Sequence, residues 1–122
     1  MHIKNKSINN VNNFFKQLKK YQDYNIFVHI DKNDAVKAAI DSDKRLKPLS
    51  EIDGTLIAVK SNIQVKGFPF TGGIEEYKYI NSDYNDPLID LIKTNGGIII
   101  GLTNMDEAAF GGDTSTSFYG TC

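Results

Sequence analysis

Thr55-Leu56-Ile57-Ala58-Val59-Lys60, Asp86-Pro87-Leu88-Ile89-Asp90-Leu91-Ile92 and Gly97-Ile98-Ile99-Ile100-Gly101 decide the fold class of this chain. The first stretch is rich in β-branched and aliphatic residues and predicts a buried strand, Thr55 to Lys60. The second opens with a helix-start signal, Asp as N-cap and Pro at the first helical position. Leu88, Ile89, Leu91 and Ile92 form its apolar face, and Asn95-Gly96 ends it. Ile98, Ile99 and Ile100 predict a second buried strand, closed by Gly101. Strand, helix and strand in that order predict a crossover unit of a parallel or mixed sheet, and so an α/β fold.

Before this unit, Ile8, Val11, Phe14, Phe15 and Leu18 recur at helical spacing and predict an amphipathic helix from Ser7 to Tyr21. Ser7 is its expected N-cap. Asn25 to Ile30 is a short apolar run compatible with strand or helix. Asp31 or Asn33 can cap a second helix over Asp34 to Arg45. Ala35, Val36, Ala39 and Ile40 would be its inner face, and Lys47-Pro48 stops it. Residues 1–47 therefore read as a helical lead-in, and 48–122 as an α/β core. Gly67-Phe68-Pro69 and Gly72-Gly73 punctuate a loop. A short helical turn is expected over Asp106 to Phe110, then a Gly-, Ser- and Thr-rich loop over Gly111 to Thr121. Two strands alone do not make a stable α/β domain. The expectation is that further chain or a partner completes the sheet.

The 122 residues carry a formal net charge of -1 and are 40% apolar, which fits one folded domain. The near-zero balance argues against a dedicated nucleic-acid binder, and no apolar run is long enough to span a membrane. A single cysteine, Cys122, excludes a disulfide framework within one chain. Two histidines, His2 and His29, without helical pairing make a histidine metal site an unfavoured reading. The first twenty-two residues hold five lysines and no acid, yet no arginine and no secretory h-region. Cytoplasmic residence is the expectation, with mitochondrial targeting the minor alternative.

Chemically distinctive residues are few. Lys60 would become a base if desolvated at its strand end, against the ordinary reading of a snorkelling surface lysine. Gly67 to Gly73 could cradle an anion on backbone amides, but lacks the ending of a phosphate loop. Asp106-Glu107 reads as capping and solvation rather than as a metal pair. Asp113 to Ser117 carries hydroxyls without a base nearby in sequence.

Two blocks are similar to the amidase signature family, in its N-terminal portion. One is Pro48-Leu49, Gly54 to Ile63 and Gly67-Phe68-Pro69-Phe70-Thr71-Gly72-Gly73. The other is Gly97 to Glu107 with Phe110-Gly111-Gly112 and Phe118-Tyr119-Gly120. Tyr24-Asn25-Ile26-Phe27 also resembles the family's lead-in. The resemblance implies part of an α/β/α sandwich around a mixed sheet, preceded by helices. It also implies hydrolysis or transfer at carboxamide C–N bonds by a Ser nucleophile, a second Ser in a cis peptide and a Lys base. Lys60 is the counterpart of that base. Both family serines lie in a Gly- and Ser-rich segment downstream of this chain's residues, so neither role passes to Ser115 or Ser117. The segment would then be inactive alone. Ser61, Leu102 and Ile74 stand where the family usually has Asp, Lys and Ser. The Met-Asp-Glu run resembles the amidase subunit of tRNA-dependent amidotransferases, and the Phe-Gly-Gly run resembles general amidases. No metal or organic cofactor is implied. The partners expected are a carboxamide substrate and, on the alternative reading of a degenerate assembly module, a protein chain docked on an exposed sheet edge.

Overall fold

A computed structural model describes residues 5–122; His2 and Lys4 of the basic lead-in lie outside the described residues. Three strands form one mixed sheet, β1 (Phe27–Ile30), β2 (Leu56–Lys60) and β3 (Ile98–Thr103), in the order β1-β3-β2. β2 and β3 run parallel, joined through α3 (Pro87–Thr94), as the crossover pattern predicts. The apolar run before Asp31 resolves as the extended β1, which pairs antiparallel with β3. It supplies the third strand, so residues 5–47 share one sheet with residues 48–122.

β3 holds the centre because both its faces are apolar. Ile98 and Ile100 pack against Val11 and Phe15 of α1 (Lys6–Leu18) and Ala35 and Ala39 of α2 (Lys32–Lys44). Ile99 and Leu102 pack with Val59, Val65, Phe68 and Ile89 on the α3 side. Helices therefore cover both faces, giving an α/β/α layering. Strict alternation would put Leu102 with Ile98 and Ile100. A bulge prevents it: Ile57 pairs with Ile99 but Ala58 pairs with Gly101. The extra residue, Ile100, shifts the phase and turns Leu102 to the opposite face. Gly101 does not close the strand but lies inside it. A Cβ there would collide with the His29 carbonyl oxygen and meet Ile30 of β1, so a side chain would wedge the two strands apart.

Several local expectations change for reasons of packing. Ser7 does not cap α1; it lies inside the helix and is buried. The cap comes from α2, where the Asp43 carboxylate accepts from the Ser7 and Ile8 amides at 2.9 and 3.0 Å. The helix also stops at Leu18, and the chain turns through Gln22–Tyr24 before β1. In α2, Asp31 caps by accepting from the Asp34 amide at 2.9 Å. Ile40 is exposed, and small residues, Ala35, Ala39 and Ser42, make the buried stripe so that α1 and α2 can approach closely. In α3, Asp86 caps as read, accepting from the Leu88 amide at 2.9 Å. Ile89 is fully buried, but Leu88 and Leu91 are exposed. β2 is not a buried strand: only Val59 is buried, because no strand among the described residues pairs with its outer edge.

Candidate functional site at the carboxyl ends of β2 and β3

Parallel strands present their carboxyl ends on one side of a sheet, where open α/β folds build their sites. Here the last residues of β2 and β3, Lys60 and Thr103, stand in register. The Ser61 amide donates to the Thr103 carbonyl at 3.2 Å, tying the two chain exits together. Lys60 itself is exposed, and among the described residues nothing hydrogen-bonds or pairs with its amine. It ends an edge strand rather than a buried one. Ser61 is 1% exposed, and its Oγ lacks any hydrogen-bond partner among the described residues.

Two loops meet beyond these strand ends. The first, after β2, is braced on itself by Gly67, Phe70 and Ser82 amides donating to the Ser82, Ile80 and Phe68 carbonyls at 2.8–2.9 Å. Its Gly72 carbonyl accepts from the Ala108 amide at 2.8 Å. Gly73 has φ +79°, and a Cβ on it would lie 3.0–3.1 Å from the backbone of Met105, Asp106 and Glu107. Glycine is thus required by conformation and by closeness. Thr71, 2% exposed, accepts from the Gly73 amide at 3.3 Å and lies 3.4 Å from the Tyr119 hydroxyl. At the junction lies a shallow, open pocket of about 260 Å³ lined by Asn62, Phe70, Gly72, Ile74, Tyr77 and Met105 among others.

The second loop, after β3, has no regular structure beyond a turn at Glu107–Ala109, yet is densely bonded. Asn104 accepts from the Ser117 hydroxyl at 2.7 Å and the Met105 amide at 2.8 Å, and donates to the Gly120 carbonyl at 2.8 Å. Asp106, 5% exposed, accepts from the Asp113, Thr114 and Thr116 amides at 3.2, 3.0 and 3.2 Å, and from the Thr116 hydroxyl at 2.9 Å. Burial pushes its carboxyl up, but the hydrogen bonds from Thr116, Thr114 and Asp113 win and hold it below the ordinary value. Asp106 is therefore a loop organiser, which the capping-and-solvation reading missed. Its role depends on which amides converge on it from Asp113 to Thr116. Ala108 and Ala109 take left-handed φ of 50° and 65°, unusual for alanine, inside this bonded frame.

Three of the four sequence-selected features, the Gly67–Gly73 loop, Asp106-Glu107 and Asp113–Ser117, are thus bonded into one loop layer. Lys60 adjoins it through the Ser61–Thr103 link. Ser117 is buried with its hydroxyl given to Asn104, Ser115 is exposed, and Glu107 is exposed. Asn104 and Ser61, to which the sequence reading assigned no chemistry, are the two polar side chains nearest the strand ends in sequence. Only a three-dimensional count of partners distinguishes them. Among the described residues no group of three or more His, Cys, Asp or Glu side chains could hold a metal ion, and no helix is long and apolar enough to cross a membrane.

Comparison with known proteins agrees with this architecture. A family model described as Amidase matches residues 9–122. The chain is 43% identical over 104 residues to a glutamyl-tRNA(Gln) amidotransferase subunit from Methanosphaera stadtmanae, covering 83% of this chain and 23% of the relative. It is 37% identical over 115 residues to the subunit of the same name from Methanothermobacter thermautotrophicus, covering 91% of this chain and 25% of the relative. The fold superposes on native peptide amidase from Stenotrophomonas maltophilia with a TM-score of 0.82 at 17% identity, over 94% of this chain and 26% of that one. The chain spans about a quarter of the length of the curated relatives it matches.

Proposed function

This chain belongs to the amidase family, and from that premise we propose that it is the lysine-bearing N-terminal part of an enzyme acting on carboxamide C–N bonds, with Lys60 as its general base. The carrying observation is Lys60 itself. It ends β2 directly after Ala58-Val59, in register with Thr103, beside the loop layer at the carboxyl ends of the parallel strands. A lysine amine serves as a base only when neutral, which requires that water be removed from around it. Lys60 is exposed here, so on this reading its desolvation comes from the three quarters of the relatives' length that this chain does not span. The same region supplies the nucleophilic and bridging hydroxyls. Ser117 is bonded to Asn104 and Ser61 is buried, so neither is offered as a nucleophile. The amine then takes the nucleophile's proton through the bridging hydroxyl and returns it to the departing amine. The chain alone turns over no amide. The strong identity to amidotransferase subunit sequences favours a role in an assembly of several chains.

The test is ammonia release from a simple primary carboxamide by the full polypeptide or complex containing this chain. Lys60→Ala should lower kcat/KM by about 10²–10⁴-fold, the worth of a positioned acid–base group, with folding unchanged by circular dichroism. Unaltered hydrolysis in the folded variant would refute the assignment. Lys60-dependent turnover by the 122-residue chain alone would refute its inactivity.

A further inference from the structure

Phe27, Thr103 and Lys60 stand in one row across the sheet, because Thr103 pairs with Phe27 of β1 on one side and with Lys60 of β2 on the other. The start of β1 and the ends of β2 and β3 therefore share one end of the sheet. Two asparagines lie just beyond this row. Asn104 follows Thr103, and its backbone amide donates to the Ile26 carbonyl at 2.8 Å. Asn25 precedes Ile26 and takes a left-handed φ of 51°, which asparagine tolerates better than most residues. Their side chains reach the same short stretch of chain. Asn104 donates to the Gly120 carbonyl at 2.8 Å, and Asn25 donates to the Thr121 carbonyl at 3.1 Å. The Met105 amide and the Ser117 hydroxyl donate to the oxygen of the Asn104 side chain, which leaves its nitrogen as the end that meets Gly120. Gly120 has φ +95°, and a Cβ on it would lie 2.8 Å from the Asn25 side-chain nitrogen. The stretch is thus shaped to receive Asn25. The next amide, of Cys122, donates to the Thr114 hydroxyl at 2.6 Å.

A single bond to a loop fixes a point and leaves the backbone free to swing about it. Bonds to two successive carbonyls, from side chains rooted beside two adjacent strands, fix its direction as well. We propose that Asn25 and Asn104 are positioning residues for the chemistry of Lys60. By holding Gly120 and Thr121 against the strand ends that carry Lys60, they set where the polypeptide downstream departs relative to that amine. This rests on the proposed function, which places the nucleophilic and bridging hydroxyls in that downstream polypeptide. A proton passes to Lys60 only from a hydroxyl within hydrogen-bond reach. Slackening the clamp therefore costs the rate of the chemical step rather than the binding of substrate. Neither asparagine touches the reacting atoms on this reading; both act through the backbone they hold.

The test is steady-state ammonia release from a simple primary carboxamide by the full polypeptide or complex containing this chain. Asn25→Asp and Asn104→Asp keep the side-chain size and an accepting oxygen but lose the donated bond. Each should lower kcat by about 10–100-fold with KM held within about twofold, the signature of misplaced groups rather than lost substrate contacts. The double variant should lose less than the product of the two single losses, because either broken bond already frees the same stretch. Asn25→Gly accepts the left-handed φ and removes the Asn25 bond without adding a charge. Thermal unfolding of each variant shows whether it is folded; if Asn104→Asp is not, the two Asn25 variants decide. Unchanged kcat in the folded variants would overturn the proposal, as would a loss confined to KM or a double loss equal to the product. Lys60→Ala, measured alongside, separates the two readings. A loss there with unchanged kcat in the asparagine variants overturns the positioning role alone. Unaltered hydrolysis in Lys60→Ala overturns the base assignment and the positioning role together.

Discussion

The Asp53 carboxylate lies 2.7 Å from the Arg45 guanidinium, with its side chain 2% exposed. The same carboxylate accepts from the Ser42 hydroxyl and the Leu49 amide, each at 2.7 Å. One buried acid thus joins the end of α2 to the approach to β2. Asp53→Ala strands Ser42, Arg45 and the Leu49 amide together. A loss of about 2–3 kcal/mol in urea unfolding is expected, toward the low end for a broken pair because Arg45 still reaches water. A loss below half of that would mean the α2–β2 junction relaxes freely.

Gly101 pairs with Ile30 of β1, and its missing side chain leaves room for the His29 carbonyl. Gly101→Ala must displace the His29 carbonyl or bend β3. Destabilisation of about 1–3 kcal/mol is expected, the usual cost of overpacking. Gly67→Ala is the useful contrast: nothing lies within 4 Å of its Cβ, and only its φ of +82° resists. Its cost should be about 1 kcal/mol. Equal costs for the two variants would show that strand contact is not the reason for Gly101.

The Asp106 network carries a pH signature. Its folded pKa is depressed, so its contribution is present above the ordinary carboxylate value and is lost as pH falls through the folded one. Asp113, held low by hydrogen bonds from the Ser115 side chain and amide, titrates in the same direction. Protection of the amides of residues 113–116, taken relative to the intrinsic exchange rate at each pH, should fall in acid, below about pH 4. Asp106→Asn should remove most of that dependence while leaving the exchange of β3 unchanged. An acid dependence retained in full would assign it to Asp113.

Ser61 carries a buried hydroxyl with no partner among the described residues. Such a group costs about 1–3 kcal/mol when left unmade. Ser61→Ala should therefore leave the chain as stable or raise its stability by about 1 kcal/mol. A clear loss in thermal unfolding would show that the hydroxyl is bonded in solution.

What could be read from the residues follows from the range of each interaction. Asp86-Pro87 and Asn95-Gly96 act within one helical turn, and both mark α3 correctly. The isoleucine run gave β3 but not its last residues, since Gly101 looks like a terminator until β1 lies against it. The pairing of β1 with β3 has no local signal, and neither does the bulge at Ile100. Ser7 has the right chemistry for a cap and lost that place to Asp43, far away in sequence. At the site, the residues alone mark Lys60 as a lysine ending an apolar strand, and only the family resemblance lifts it above the ordinary reading of a snorkelling surface lysine. The bonded role of Asp106 was hidden because its partners are mostly backbone amides, which every residue has.

The central place of β3 governs the order of events during synthesis. β1 leaves the ribosome early and β2 midway, yet each has β3 as its sheet neighbour. At roughly 5–20 residues per second, β1 waits several seconds for its ladder. Until Ile98–Thr103 emerges, no two of these strands can pair in their native register. The nascent chain therefore carries two adhesive ribbons at once, and its escape from aggregation depends on how promptly a six-residue segment arrives between them.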